Sequence, residues 1–507
     1  MEDNKKLAKS LVRSSVYDFL NITVNRVASL ILVIILARML LPEGFGIYSL
    51  AMSIAMIFVS IFDLGMTQSV SRYVAYEIGK KNKKGATAYF NYLLKRKIFL
   101  VLLTGLALAA LSYPLAFLVF KQPALFGALL AASAYVIFYS INPFFSEMFY
   151  VFKNVKILAI KEFVLQSLKL IFVLIIFFVI NSVNKTPLIF LFYGLANLIV
   201  FIPLVYLTKK NQKFLFEKGK VDFDKIKLWK YMGYLAIGGF SFIIFGYIDV
   251  VMIGILIPDV AYVGFYRASL GLIYSIAALL SFTHVLFPTF AQTKKEQLKK
   301  VFNKAFKYSL IISVPIALGL ILFSNYVIKV IFGNAYLESS YVLAALSIII
   351  VFSVNSAILS TLFSAKEKPA FFVRILILTS IINIILNYVF ISILINISYL
   401  SAIVGAAIAT VISRGIYFSA LWIKSKKVFG LSIPKSEIIK PIFAGIIMFG
   451  VLFLINFYFV SDMNLIIGIV EVIFGALIYF VTLILIKGVS KWDLELLKNS
   501  VRGMIKN

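Results

Sequence analysis

Ser14, Asp18, Asn21, Asn25 and Ser29 recur at steps of four, three, four and four within RSSVYDFLNITVNRVASLILVIILARMLLP (13–42). On a helix this spacing gathers them into one polar stripe, with Arg26 beside it. The run from Ser14 to Leu36 is long enough to cross a bilayer. Hydrocarbon offers such a stripe no partners, so it must face protein or water inside the membrane. It can be a helix-packing seam or the wall of a polar cavity. Arg26 favours the cavity, because charges within membranes mark pathways. Three further cations lie inside apolar runs: Lys169, which shares a face with Glu162 and Gln166, then Arg267 and Arg414. Forked guanidinium donors suit an anionic group such as a phosphate. The acids Asp18, Asp63, Glu147 and Asp249 lie in or at the ends of the same runs and are candidates for coupling to an ion gradient, H+ or Na+. Asp63 and Glu147 also suit salt bridges at an inner gate.

These residues need a frame of helices. The composition, 62% hydrophobic and 14% charged with mean hydropathy +1.01, lies far outside the soluble range. Apolar runs predict about fourteen transmembrane helices, near 14–38, 44–67, 97–120, 124–151, 156–181, 186–208, 231–257, 262–290, 305–331, 337–364, 370–396, 399–423, 440–460 and 464–486. No connection between them has room for a soluble domain. The polar first residues argue against a cleavable signal. Of the 50 Lys and Arg, 42 fall on one set of alternate connections and both termini, and 4 on the other set. That bias places both termini in the cytoplasm of a multi-pass cell-membrane protein. It also explains the net charge of +29 without nucleic acid, since basic loops such as KKNKK (80–84) meet anionic lipid headgroups. The absence of cysteine and the single histidine, His284, exclude thiolate chemistry and histidine-based metal centres. No catalytic group, cofactor or metal is expected.

The chain also repeats itself. Pro42, Glu43, Gly46, Ile47 and Tyr48 match Pro258, Asp259, Gly264, Phe265 and Tyr266, six helices later. An even number of crossings makes the halves parallel, an arrangement that builds alternating-access transporters. The expected division is a lobe over 1–208, a basic linker over 209–230, a second lobe over 231–424, two further helices over 425–487 and a tail over 488–507.

ARMLLPEGFGIYSLAMSI (37–54) and DLGMTQSVSRYVA (63–75) resemble the start of the Wzx-like polysaccharide and oligosaccharide flippases. These belong to the multidrug/oligosaccharidyl-lipid/polysaccharide (MOP) superfamily, with the MATE drug exporters and the lipid II flippase. The resemblance implies an all-α fold of two six-helix lobes in a V plus two C-terminal helices. It implies movement of a polyprenyl- or dolichyl-diphosphate oligosaccharide to the outer leaflet, and partners among glycan-assembly proteins. Arg26 and Arg267 sit where the lipid II flippase carries arginines, whereas Leu32 stands at another such position. With Asn21, Asn25, Lys169 and Arg414 they form the candidate substrate set. A cation-exporting MATE-type transporter is the alternative, but its cavity should hold unpaired acids rather than cations.

Overall fold

The apolar runs fall within helices, though not one to one. The computed structural model describes residues 2–180, 185–217, 223–281, 283–459 and 465–489, with side chains from Asn25 onward except positions 284, 285, 295, 459 and 465. Asp18, Asn21 and His284 therefore lie outside the described side chains. Among the described residues the regular structure is all helical, with no strand. Helix α1 (Glu2–Asp63) would be roughly 90 Å long if straight, three times the hydrocarbon thickness. It breaks at Leu41 (φ 60°), a left-handed conformation costly for leucine, and Pro42 restarts it with a φ suited to a first turn. One helical segment thus supplies the first two apolar runs.

The amphipathic α2 (Met66–Gly79) leads to α3 (Lys83–Tyr113), α4 (Pro123–Val151), α5 (Val155–Phe178), α6 (Thr186–Asn211), α7 (Lys225–Leu256) and α8 (Ala261–Leu279). Then come α9 (Thr283–Gln292), α10 (Lys295–Leu322), α11 (Ser324–Ile331), α12 (Ser339–Leu346), α13 (Ile349–Ala365), α14 (Pro369–Leu394), α15 (Tyr399–Phe429), α16 (Lys435–Phe459) and α17 (Leu465–Leu485). Among the described residues, eleven helices are long and apolar enough to cross a bilayer, or twelve when α12 and α13, bent by 41°, count as one span. The expected fourteen is therefore approximate. Helix α5 carries Lys161, Glu162 and Lys169 and falls outside that test on composition. The outward faces still require lipid: on α17, Ile466, Leu477 and Leu485 are 73%, 58% and 75% exposed. Water would not tolerate so continuous an apolar surface.

Residues 1–271 and 376–406 pack as one unit, and 272–375 with 407–507 as another. In the first unit, Phe90, Phe144, Phe145, Leu158 and Leu215 centre an apolar core over α2 to α6. Buried polar groups tie the same helices together. Asn142 Nδ2 of α4 donates to Asn197 Oδ1 of α6 at 3.0 Å, and Asn197 Nδ2 donates to Tyr193 O at 2.8 Å. In the second unit, Ile311, Ala444, Met448, Leu452 and Tyr479 join α10, α16 and α17.

The two copies of the repeated motif touch within the first unit. A Cβ on Gly46 would lie 2.1 Å from Val260 O and 3.2 Å from Gly264 N. A Cβ on Gly264 would lie 2.1 Å from Pro42 O and 3.2 Å from Gly46 N. This reciprocity is what a local twofold axis between the motifs produces. It also explains why glycine occupies both positions, since only a residue without Cβ lets the backbones approach this closely.

Candidate substrate site

The predicted polar stripe on α1 meets the predicted polar face of α5. Asn25 Oδ1 accepts from Gln166 Nε2 at 2.9 Å and from Ser29 Oγ at 3.2 Å. At this level the stripe therefore acts as a packing seam, of the kind asparagine and glutamine make between membrane helices. Arg26, the next residue, is half-buried.

Beyond the seam the cations sit among tyrosines. Lys169 Nζ of α5 lies 5.2 Å from the centre of the Tyr193 ring on α6. Tyr193 packs near Tyr135 of α4 (6.3 Å between centroids), which in turn packs on Tyr139 (5.2 Å). Tyr48 of α1 stacks on Phe190 at 5.4 Å and adjoins Tyr193. Arg267 of α8 places its guanidinium carbon 5.2 Å from the Tyr247 ring centre on α7 and lies within electrostatic reach of Tyr48. Tyr139 is within similar reach of Tyr247 and of Glu162. Two cations and five tyrosines thus converge from α1, α4, α5, α6, α7 and α8.

Among the described residues, no carboxylate lies within ion-pair distance of Lys169 or Arg267. The Glu162 carboxylate, within electrostatic reach of Lys169, is bound by Lys161. Aromatic faces steady a cation by about 0.5–2 kcal/mol without cancelling its charge. The ammonium and guanidinium therefore remain available to an anion, and the phenol hydroxyls can donate to further oxygens.

Asp249 is buried close by on α7. Its Oδ1 accepts from Asn387 Nδ2 of α14 at 2.7 Å and its Oδ2 from Tyr266 Oη of α8 at 3.0 Å. Asn387 Oδ1 is itself buried and accepts no hydrogen bond. Tyr266 and Arg267 are adjacent, as nearly are Tyr247 and Asp249, so one pair of helices carries both the acid and the cation.

The remaining expected residues lie elsewhere. Asp63, at the end of α1, binds the ammonium of Lys97 on α3 and accepts from Thr67 Oγ1 at 2.8 Å. Glu147 of α4 is half-buried beside Ser71. Arg414 of α15 donates to Tyr274 Oη at 2.7 Å inside the second unit, and its guanidinium carbon is 5.4 Å from that ring.

Comparison with known proteins gives the family and the fold. Residues 11–294, more than half of the chain, match the model of the "Polysaccharide biosynthesis protein" family. The chain belongs to the polysaccharide biosynthesis protein family. Residues 266–484 match the model of the lipid II flippase MurJ. A probable low-salt glycan biosynthesis flippase of Haloferax volcanii is 25% identical over 261 residues, 50% of this chain and 52% of that protein. An uncharacterised membrane protein of Methanocaldococcus jannaschii is 24% identical over 356 residues, 66% of this chain and 65% of that one. The chain thus spans about half to two thirds of the length of these curated relatives. Its fold is similar to a lipid II flippase MurJ in an inward closed conformation (TM-score 0.64, 16% identity, 93% of this chain and 98% of that one). It is also similar to an inward-facing MATE transporter (TM-score 0.66, 13% identity, 82% and 99%).

This polysaccharide biosynthesis family member carries residues that sequence reasoning passed over. Tyr48, Tyr135 and Tyr193, absent from the expected site residues, are buried inside the first unit. A clue existed in Tyr135 and Tyr139, one turn apart on an otherwise small-residue face of α4, and in the recurrence of Tyr48 as Tyr266. Lys97, at the edge of the expected 97–120 run, is 1% exposed.

Proposed function

We propose that this protein is a flippase that carries a lipid-diphosphate-linked oligosaccharide from the cytoplasmic to the outer leaflet by alternating access. The single observation that carries this reading is the pair of cations, Lys169 and Arg267, held over tyrosine rings with no carboxylate in ion-pair distance among the described residues. A diphosphate cannot enter hydrocarbon unaided. Cations within the span offset its charge, and aromatic mounting keeps them attractive without permanently neutralising them. Tyrosine hydroxyls supply donors for sugar and phosphate oxygens. Family membership and the relatives named for glycan biosynthesis and lipid II flipping support the same class of cargo.

The acid on α7 provides a place for coupling. Asp249 is held by Tyr266, next to Arg267, so proton or Na+ binding at Asp249 would alter the hydrogen bond that steadies the cation-bearing helix. The Gly46–Gly264 contact closes one end between the two motifs, and its parting would open that end. In this reading the basic connections and both termini face the cytoplasm, and Asp63–Lys97 braces the cytoplasmic side.

The test is reconstitution of the full chain in liposomes with a fluorescent polyprenyl-diphosphate oligosaccharide and, separately, a cationic dye. Movement of the diphosphate lipid supports the proposal. Movement of the dye alone overturns it in favour of a MATE-type exporter.

A further inference from the structure

We propose that the lysine-rich ends of α4, α5 and α6 form a binding pocket for the headgroup of an anionic phospholipid, separate from the tyrosine site. A cavity of about 310 Å³ opens where these three helices end or begin. Phe149 and Phe152 form its apolar floor, and Asn154, Thr208, Asn211 and Gln212 supply polar walls. Thr208 Oγ1 is committed to Leu204 O at 2.7 Å. Asn154 stands at the N-cap position of α5, but its side chain makes no capping hydrogen bond. Its amide, and those of Asn211 and Gln212, therefore remain able to bind oxygens from outside.

The exposed charges that flank the polar walls in sequence are lysines. Lys153 and Lys156 flank Asn154, while Lys209, Lys210 and Lys213 flank Asn211 and Gln212, and all five are exposed. Glu147, one turn back on α4, lies beside Ser71 of α2 instead. Clustered lysines at a membrane boundary draw anionic headgroups.

What distinguishes a lipid from a free phosphate ion is that the helices bearing the polar walls also expose apolar residues. Ile160 and Phe163 on α5 are 54% and 62% exposed, and Ile202 and Tyr206 on α6 are 61% and 62% exposed. These outward faces offer an acyl chain a path along the helices that bear the polar walls. A phosphate ion would use the walls alone.

The experiment uses native mass spectrometry on the purified full chain in detergent, with phosphatidylglycerol, phosphatidylcholine or inorganic phosphate as probe. The native chain should retain phosphatidylglycerol over phosphatidylcholine by about tenfold. Lys153→Gln/Lys156→Gln/Lys209→Gln/Lys210→Gln should abolish that preference. Lys299→Gln/Lys300→Gln/Lys426→Gln/Lys427→Gln, which removes the same charge from the second unit, should leave it intact. Asn154→Ala/Asn211→Ala, a milder change, should weaken retention about threefold. Equal loss in both lysine variants would overturn the proposal in favour of diffuse attraction. Binding of inorganic phosphate with the same lysine dependence, displacing the lipid, would overturn it in favour of an ion site.

Discussion

At the scale of single residues, the fate of a buried charge depends on what stands opposite it. Lys97 faces a carboxylate and Lys169 a phenol ring, and in the proposed mechanism this difference separates a brace from a binding group. Lys97→Met should destabilise the protein by about 3 kcal/mol, because it strands Asp63 in a poorly solvated place. Lys97→Met/Asp63→Asn should recover much of that loss, and thermal unfolding in detergent would read both. Lys169→Met should leave the unfolding temperature nearly unchanged, since no ion pair is broken, while slowing transport about tenfold. Of these residues, sequence patterning made Arg26, Lys169, Arg267 and Asp249 legible, because a charge within an apolar run is conspicuous. It missed the tyrosines that hold the cations. An aromatic residue in an apolar run looks the same whether it faces lipid or a neighbouring helix, and only packing tells the two apart.

At the scale of elements, the meeting of the two repeated motifs sets how closely α1 and α8 approach. Gly264→Leu would push a side chain onto Pro42 O and force the backbones apart. Because the chain lacks cysteine, a cysteine introduced at Ser49, 2% exposed in the native protein, reports the opening without background. The Gly264→Leu change should raise its reaction with a membrane-impermeant maleimide by about tenfold. Unchanged labelling would mean that the glycine contact does not hold this end together. The repeat itself was readable from Pro42, Gly46 and Tyr48 against Pro258, Gly264 and Tyr266. Its physical meaning was not, because nothing in a one-dimensional alignment says that equivalent glycines touch each other. The break at Leu41 was equally hidden: Pro42 signals a helix start, but the left-handed leucine before it has no sequence mark. On α1, Asn25 and Ser29 of the expected stripe bond to each other, yet Asn25 also serves the seam with α5, a distinction periodicity cannot draw.

At the scale of the whole molecule, the hydropathy and the lysine alternation carry most of the architecture. An all-helical membrane protein was legible because exposed surfaces as apolar as that of α17 have no other solvent. Span counting was less secure where charge interrupts a helix, as in α5, and where one helical segment serves two runs, as in α1. Reporter fusions after Lys84 and after Lys300 should both indicate the cytoplasm, and a fusion after Lys121 the opposite side. Reversal at any one would displace the proposed topology.

In the proposed mechanism, charge on the cargo is met by Arg267 and Lys169. The most direct measurement compares, in liposomes, the rates at which the full chain moves a fluorescent polyprenyl-diphosphate sugar and a neutral polyprenyl glycoside bearing the same sugar. The native protein should move the diphosphate at least tenfold faster, and Arg267→Gln/Lys169→Gln should erase that preference. Equal rates for the two lipids, or a preference that survives the double change, would contradict the account.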